Sequence, residues 1–499
     1  MAPNGRGIAV PMIVWPAGSA RSRVARSIAV ALLLILSFVS QEMSILLFPG
    51  TNAYYGIVAW QGTAAYSLIE DRKLALRTGD VRLCAQDLRA IKGLALRSTI
   101  QTQDYVALAD LLPALKTTRP GEVLFYYPPG YPLYLAGTFL ASGQYRYDLA
   151  RTIQLLLNML GAPLLLLGTG VLLGSFATGY AAAALYALYA GPVQQTFYIL
   201  PDALMPFLAT LVLAVSAWCI RRDRLKEYLV LGLVLGVGAN FRSDVLGMAP
   251  FLALGIWRFR RKLDPGTIAR VAAVGLIAFS FLIPYGLIQK NFKPVGRFQI
   301  TTPGLGQNLW EGYGETPNPH GAILSDDAVD EMLTRAGRHI HLPDGEAYLK
   351  EKWARAALRE PRWFLWSVGH REKVLLGYWR EGAKMGFAPL ADSKRSPWRG
   401  FLIQGAQKAF SLLVVILFAC GITALFASRF GLLIAAAPLG YFAAFSLLHV
   451  EPRYVLPALG PLTYLACHGV QMLAGRWSSR TATLRRAGVP LRGVNTGRM

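Results

Sequence analysis

Apolar runs long enough to cross a lipid bilayer recur through this chain, separated by short basic linkers and two long polar segments. A spanning helix needs about 20 apolar residues. Runs of that order occupy Ser27–Pro49, Arg151–Leu173, Thr178–Gln195, Ala203–Ile220, Thr267–Ile288, Phe401–Ala427, Gly431–Leu448 and Tyr454–Leu473. Two shorter runs, Tyr228–Gly238 and Val245–Trp257, flank Asn240–Asp244. A transmembrane β-barrel would show short alternating segments instead. The pattern predicts an all-α polytopic membrane protein with about ten transmembrane helices and two large outer, periplasmic loops.

Composition fits that reading. A soluble chain of 499 residues suggests roughly two to four domains, but 54% hydrophobic and 16% charged residues suit one helical membrane domain with polar loops. The formal charge of +23 does not point to nucleic acid. The basic residues sit beside apolar runs, as membrane topology requires. Of the four cysteines, Cys219, Cys420 and Cys467 lie in apolar runs, and with Cys84 they show neither metal-ligand spacing nor a disulfide framework.

Charge also orients the chain. Arg21, Arg23 and Arg26 precede the first run, which is longer than a signal-peptide core and lacks a small-residue cleavage site, so an uncleaved signal anchor is expected. Arg221, Arg222, Arg224 and Lys226 mark one cytoplasmic linker, and Arg258, Arg260, Arg261 and Lys262 another. The tail carries Arg476, Arg480, Arg485 and Arg486. The outer surfaces are then Thr51–Tyr147, Tyr198–Asp202, Asn240–Asp244, Lys290–Gly400 and His449–Arg453. Tyr131–Gly143 is apolar but too short to cross and is read as an interfacial or re-entrant helix. The expected organisation is a cytoplasmic N-terminus over 1–26 and a transmembrane catalytic module over 27–289 containing the first periplasmic loop, 50–149. A large periplasmic loop over 290–400, closing transmembrane helices over 401–474 and a cytoplasmic tail over 475–499 follow. The protein is placed in the cytoplasmic (inner) membrane.

Within the first loop, Thr51–Lys73 is aromatic and amphipathic, and Tyr105, Leu108, Leu111 and Leu112 follow a helical pattern. The second loop has strand or turn character around Gly296–Gly314. Helical patterns follow at Asp326–Arg338 and Asp344–Arg359, the latter closed by Pro361. A loop of this length is commonly a lid or a binding surface.

Ionisable groups near membrane depth are costly, which makes each a functional candidate. Asp202 opens an apolar helix and has a plain alternative as a first-turn carboxylate favoured by the helix dipole. Asp104 has the same alternative. Tyr126–Pro132 is a rigid aromatic and proline turn, and interface anchoring is its plain role. Arg242 would suit a phosphate through charge-assisted bonds, or would snorkel. His449, Glu451 and Arg453 fall within five positions, and a local ion pair is the plain account. Together these outer carboxylates, arginines and the proline turn converge on one side of the membrane. Such carboxylates could bind a divalent cation or take a proton from an acceptor, and such arginines could hold a lipid-linked phosphate.

The set resembles the C-type integral-membrane glycosyltransferases that use polyprenyl-phosphate sugars, in the branch of dolichyl-phosphate-mannose protein mannosyltransferases and lipid A sugar transferases. Four stretches carry the likeness: Asp104 through Leu112; Tyr127–Pro132 with Gly143 and Arg151; Pro201–Leu204 with Gly232, Gly236 and Arg242; and Arg453-Tyr454 with Pro457 and Pro461. The resemblance implies inverting transfer of a sugar from a polyprenyl-phosphate donor to a lipid, glycan or protein acceptor, within membrane lipids. It implies Asp104 and Asp202 as catalytic carboxylates, Arg242 and Arg453 as donor-phosphate ligands, and Tyr127, His449 and Glu451 as substrate contacts. The chain departs from the family's pattern after its first span, where Thr51–Tyr55 holds no carboxylate; Glu70 and Asp71 are the alternatives to Asp104. Tyr126-Tyr127 replaces a charged pair before the prolines, so no metal ligands are assigned and no cofactor is fixed beyond a divalent cation left open. A transporter or flippase of lipid-linked sugars, or an inactive relative, are the competing readings.

Overall fold

A computed structural model describes residues 20–47, 61–62, 64–65, 68–69, 72, 128–143, 147–173, 176–189, 200–261, 263–292, 304–338, 343–382 and 397–486. In chain order the helices are α1 (Ala20–Leu47), α2 (Gly130–Ser142), α3 (Tyr147–Leu173), α4 (Phe176–Ala187), α5 (Met205–Arg222), α6 (Leu225–Phe241), α7 (Met248–Arg260) and α8 (Pro265–Ser280). Then come α9 (Leu282–Phe292), α10 (Leu305–Gly314), α11 (Asp326–Arg335), α12 (Pro343–Arg359) and α13 (Pro361–Gly382). The chain closes with α14 (Pro397–Ala427), α15 (Gly431–Ile434), α16 (Ala436–Phe445) and α17 (Leu459–Arg486). Three 3₁₀ turns, Pro201–Leu204, Ser243–Gly247 and Pro452–Ala458, join helices near one end of the bundle.

Among the described residues four helical stretches are long and apolar enough to cross a membrane: Leu149–Gly168, Pro201–Arg222, Pro265–Leu287 and Lys408–Ala427. The perimeter explains what surrounds them. Leu276, Phe279 and Ile283 on one side, and Leu412 and Ile416 on another, leave large apolar side chains uncovered. Contiguous apolar exposure of this kind is unfavourable in water and neutral in lipid. The chain is a helical membrane protein.

Two expected apolar runs are interrupted, the first of them within the candidate span Pro265–Leu287. The run Thr267–Ile288 divides at Phe281 into α8 and α9, and Gly431–Leu448 divides at Ala435 into α15 and α16. Proline is the cause in both. Pro284 cannot donate to the Ser280 carbonyl, nor Pro438 to that of Ile434, so each helix resets one turn earlier. The helices flanking Asn240–Asp244 have 17 and 13 residues. The shorter, like the 13-residue α2, reaches only about 20 Å against a hydrocarbon core of about 30 Å.

Helix α6 packs on α5 and on α8, and Gly232 against Ile277 and Gly236 against Phe281 show that α6 and α8 run parallel. Local chemistry sets the turns. Asp264 caps α8 by accepting from the Thr267 amide at 2.7 Å, with Pro265 in the first helical position. Arg221 and Arg222 close the last turn of α5, where they face the negative end of the helix dipole.

Residues 304–338 and 343–382 build a second, aromatic core. Tyr313 sits at its centre, edge-on to Trp363 at 4.9 Å and stacked on Trp353 at 6.1 Å, over Val329, Leu333 and Leu349. Residues 305–314 form α10, where the sequence reading expects strand or turn. Gly306, Gln307 and Leu309 through Tyr313 are all buried, and packing on both sides of this helix outweighs the cost of its glycines. Helices α11 and α12 match the two expected helical patterns, and Pro361 follows the end of α12.

Candidate functional site

The Pro201–Leu204 turn places Asp202 in the bundle at the end where α5 begins. The Asn158 amide of α3 holds this turn by donating to the Ala203 carbonyl at 2.7 Å. Asp202 makes no capping bond to α5. Its carboxylate instead pairs with the Arg242 guanidinium, which emerges from the C-terminus of α6. Arg242 is also held by Asp244, with Nη2 to Oδ2 at 3.0 Å and Nε to the two oxygens at 3.1 and 3.2 Å. The Tyr454 ring lies 5.0 Å from the guanidinium and the Phe445 ring 5.7 Å, so the cation has aromatic faces as well as two carboxylates.

The Pro452–Ala458 turn adds the second half. Glu451 receives Arg453 as a fork, Nε to Oε2 at 2.7 Å and Nη2 to Oε1 at 2.8 Å. Tyr454 donates to Glu451 at 3.3 Å, and its hydroxyl lies 3.3 Å from His449 Nε2. Burial, opposed by the Glu451 charge, lowers the His449 pKa, which favours a neutral imidazole. The Asp202 carboxylate acts on Arg453 as well as on Arg242. Asp202, Arg242 and the His449–Arg453 cluster, distant from one another in sequence, thus share one neighbourhood in which Asp202 and His449 are buried and the others partly so.

The Pro-Pro-Gly turn reaches the same place. A Cβ on Gly130 would run into the Asn240 carbonyl and the Phe241 amide, two residues before Arg242. Only glycine permits this approach of α2 to the end of α6. Gly130→Val is expected to separate the two and lower stability by about 1–3 kcal/mol through overpacking; a thermal melt equal to wild type would refute the contact. Tyr131 follows, with its hydroxyl on Gln154 and within reach of the Asp202 charge. Asp104, Tyr127, Glu70 and Asp71 lie outside the described residues.

Helix α10 closes the neighbourhood from the second core. A Cβ on Gly312 would lie 2.9 Å from the Leu448 carbonyl carbon, so the helix backbone rests directly on the segment that carries His449. The His449 amide donates to the Asn308 carbonyl at 3.0 Å, and the Val450 amide donates to Glu315. Burial raises Glu315 to about 7. Glu311 is buried on the same helix, accepts from Gln307 at 2.8 Å, and feels the Glu451 charge. Burial, then the adjoining Asp326 carboxyl, pushes Glu311 well above the usual carboxylate range. The folded protein therefore keeps a proton that the unfolded chain releases, and stability falls as pH rises from the ordinary glutamate value toward the raised one. Melts of Glu311→Gln are expected to lose this slope, up to about 1.4 kcal/mol per pH unit; an unchanged slope would refute it.

Glu311, Asp326 and Asp244 carry no mark in the sequence that assigns them to this site. Gln307 and Glu311 stand four apart on one helical face, a signal hidden by reading that stretch as strand or turn. Asp244 is two residues from Arg242, a spacing that marks no element by itself. Among the described residues no three His, Cys, Asp or Glu side chains gather as a metal site.

No protein-family description and no curated protein matches the chain by sequence. Among solved structures, the Archaeoglobus fulgidus oligosaccharyltransferase in its apo form is similar over 93% of this chain and 53% of its own, at 13% identity and TM-score 0.39. Its complex with zinc and sulfate is similar over 75% and 45%, at 14% identity and TM-score 0.38. Its complex with an inhibitory peptide and a dolichol-phosphate is similar over 93% and 52%, at 12% identity and TM-score 0.39. The chain spans about half the length of these proteins. A likeness at this level leaves fold and chemistry to rest on the chain's own residues.

Proposed function

We propose that the chain is a membrane glycosyltransferase that moves a sugar from a polyprenyl-phosphate donor to a lipid, glycan or protein acceptor at the periplasmic face of the cytoplasmic membrane. The observation that carries this reading is the pair of partly buried guanidiniums, Arg242 and Arg453, drawn from separate turns into the field of one buried carboxylate, Asp202. A donor phosphate arriving there would compete with Asp202 and Glu451 for these cations. Its displacement of Asp202 would free a carboxylate beside the reacting sugar. The acceptor's lone pair then forms the new bond to the anomeric carbon, with inversion. The bond from that carbon to phosphate oxygen breaks, and its electron pair stays on the polyprenyl phosphate, where the two arginines offset the charge. The acceptor's proton passes to a carboxylate, Asp104 or Asp202. Tyr127, His449 and Glu451 contact the substrates, and the lipid tail enters between helices.

The test is a transfer assay on purified protein in lipid nanodiscs with a panel of polyprenyl-phosphate sugars, scoring released polyprenyl phosphate. Release with one donor, lost in Asp104→Asn and Asp202→Asn while donor binding persists, is the expected result. Full activity in either variant would remove that carboxylate from the mechanism. Binding without release from any donor would favour a translocating or inactive relative. The grouping of Asp202, Arg242, Glu451 and Arg453 at one end of their helices favours the transferase.

A further inference from the structure

At the opposite end of the bundle, most of the basic groups around α7 and α8 have partners. Asp223 accepts from Arg260 and from Arg270, the latter at 2.8 Å, and Arg260 also meets Asp264 at 3.6 Å. Arg258 donates to the Phe426 carbonyl in the last turn of α14, which brings the C-termini of α7 and α14 together. Arg261 and Arg429 differ. Both are exposed, and among the described residues neither pairs with a carboxylate. The Arg429 guanidinium lies 4.7 Å from the Phe430 ring and 5.2 Å from that of Phe259, and these two rings stack at 5.5 Å. Partial burial and then the Arg261 charge hold its pKa down. The Arg258 bond to Phe426 and the Arg429 contact with Phe259 bring these two segments together, so Arg261 and Arg429, each three residues beyond that bond, are like charges near one another, a cost that an anion would relieve.

The surroundings identify the anion. Trp257, one helical turn before Arg261, and Phe426, three residues before Arg429, are exposed, as is Leu263. A free phosphate has no use for these apolar surfaces, whereas acyl chains cover them. The two rings hold the Arg429 guanidinium from one side, and its fork can meet two phosphate oxygens. We propose that Arg261 and Arg429 form a binding site for the phosphate of an anionic phospholipid headgroup, whose chains lie against Trp257 and Phe426. The site is independent of the transfer reaction and of the opposite end of the bundle.

The test reconstitutes the full chain in phosphatidylcholine nanodiscs doped with phosphatidylglycerol and counts retained lipids by native mass spectrometry. Wild type is expected to retain phosphatidylglycerol over phosphatidylcholine. The double variant R261Q/R429Q is expected to retain it at least about tenfold less. The control R221Q/R222Q removes the same charge from the end of α5 and is expected to leave retention intact. Equal loss in both double variants would reduce the effect to general surface charge and overturn the site. Unchanged retention in R261Q/R429Q would overturn it directly. Displacement of the lipid by millimolar inorganic phosphate would assign the arginines to a free anion and overturn the lipid reading.

Discussion

Replacing Arg242 by alanine is expected to lower sugar transfer on the order of 10²–10³-fold, the usual loss when one preorganised donor to a developing anion is removed. It is also expected to destabilise the fold by about 3–5 kcal/mol, because a buried pair broken on one side leaves uncompensated charge. Here two carboxylates are stranded at once, since Asp202 and Asp244 both depend on this guanidinium. Arg242→Lys separates the two effects. An ammonium keeps the charge beside Asp202 but cannot hold Asp244 through Nε and Nη2 together. The lysine variant should therefore recover most of the stability and little of the transfer. A double variant with Asp202→Asn should cost less than the two single losses added, because the pair is shared. Thermal melts and polyprenyl phosphate release on the same preparations decide this. A lysine variant with wild-type transfer would mean that no bidentate contact to phosphate exists at this position.

Part of this site is legible in the sequence because membranes make charge conspicuous. Asp202, Arg242 and the His449–Arg453 cluster stand out against apolar runs, and the alternation of basic linkers assigns them to one side. What the sequence does not carry is pairing. Nothing in the spacing tells that Arg242 turns toward Asp202, 40 residues away, rather than snorkelling, or that Tyr454 lies between Arg242 and His449. Long-range partners follow from how α5, α6 and the Pro452–Ala458 turn pack, and packing is set by many small contacts at once. The helix breaks at Phe281 and Ala435 were readable from Pro284 and Pro438, yet apolar composition alone runs straight through both. The helical character of Leu305–Gly314 was obscured by its glycines. Those glycines serve close approach to neighbouring backbone, as Gly312 does against Leu448, rather than a turn.

One fully buried cation reinforces the joint between the second core and the bundle. Arg371 is completely buried on α13. It donates to the Gly312 carbonyl at 2.6 Å, to the Ser446 carbonyl at 2.7 Å and to Ser367 Oγ at 3.2 Å. One bond thus goes to α10 and another to the end of α16, just before His449. Its charge also lowers the pKa of Glu315, which burial has raised to about 7. Arg371→Met fits the space but leaves two buried carbonyls without a donor, at about 1–3 kcal/mol each. It also removes the cation beside Glu315, whose pKa should rise further, so that the carboxyl is neutral at pH 7 and binds the Val450 amide less strongly. The expected result is local undocking: faster amide exchange across 304–338 and 446–453, with exchange in α5 and α8 unchanged. Transfer should fall with it, because His449, Glu451 and Arg453 lose the surface that orders them. Arg371→Lys keeps charge near Glu315 but not the fork, and should fall between. Exchange in the methionine variant that matches wild type across 446–453 would show that α10 is held to the site by its other contacts, the Asn308 carbonyl on the His449 amide foremost.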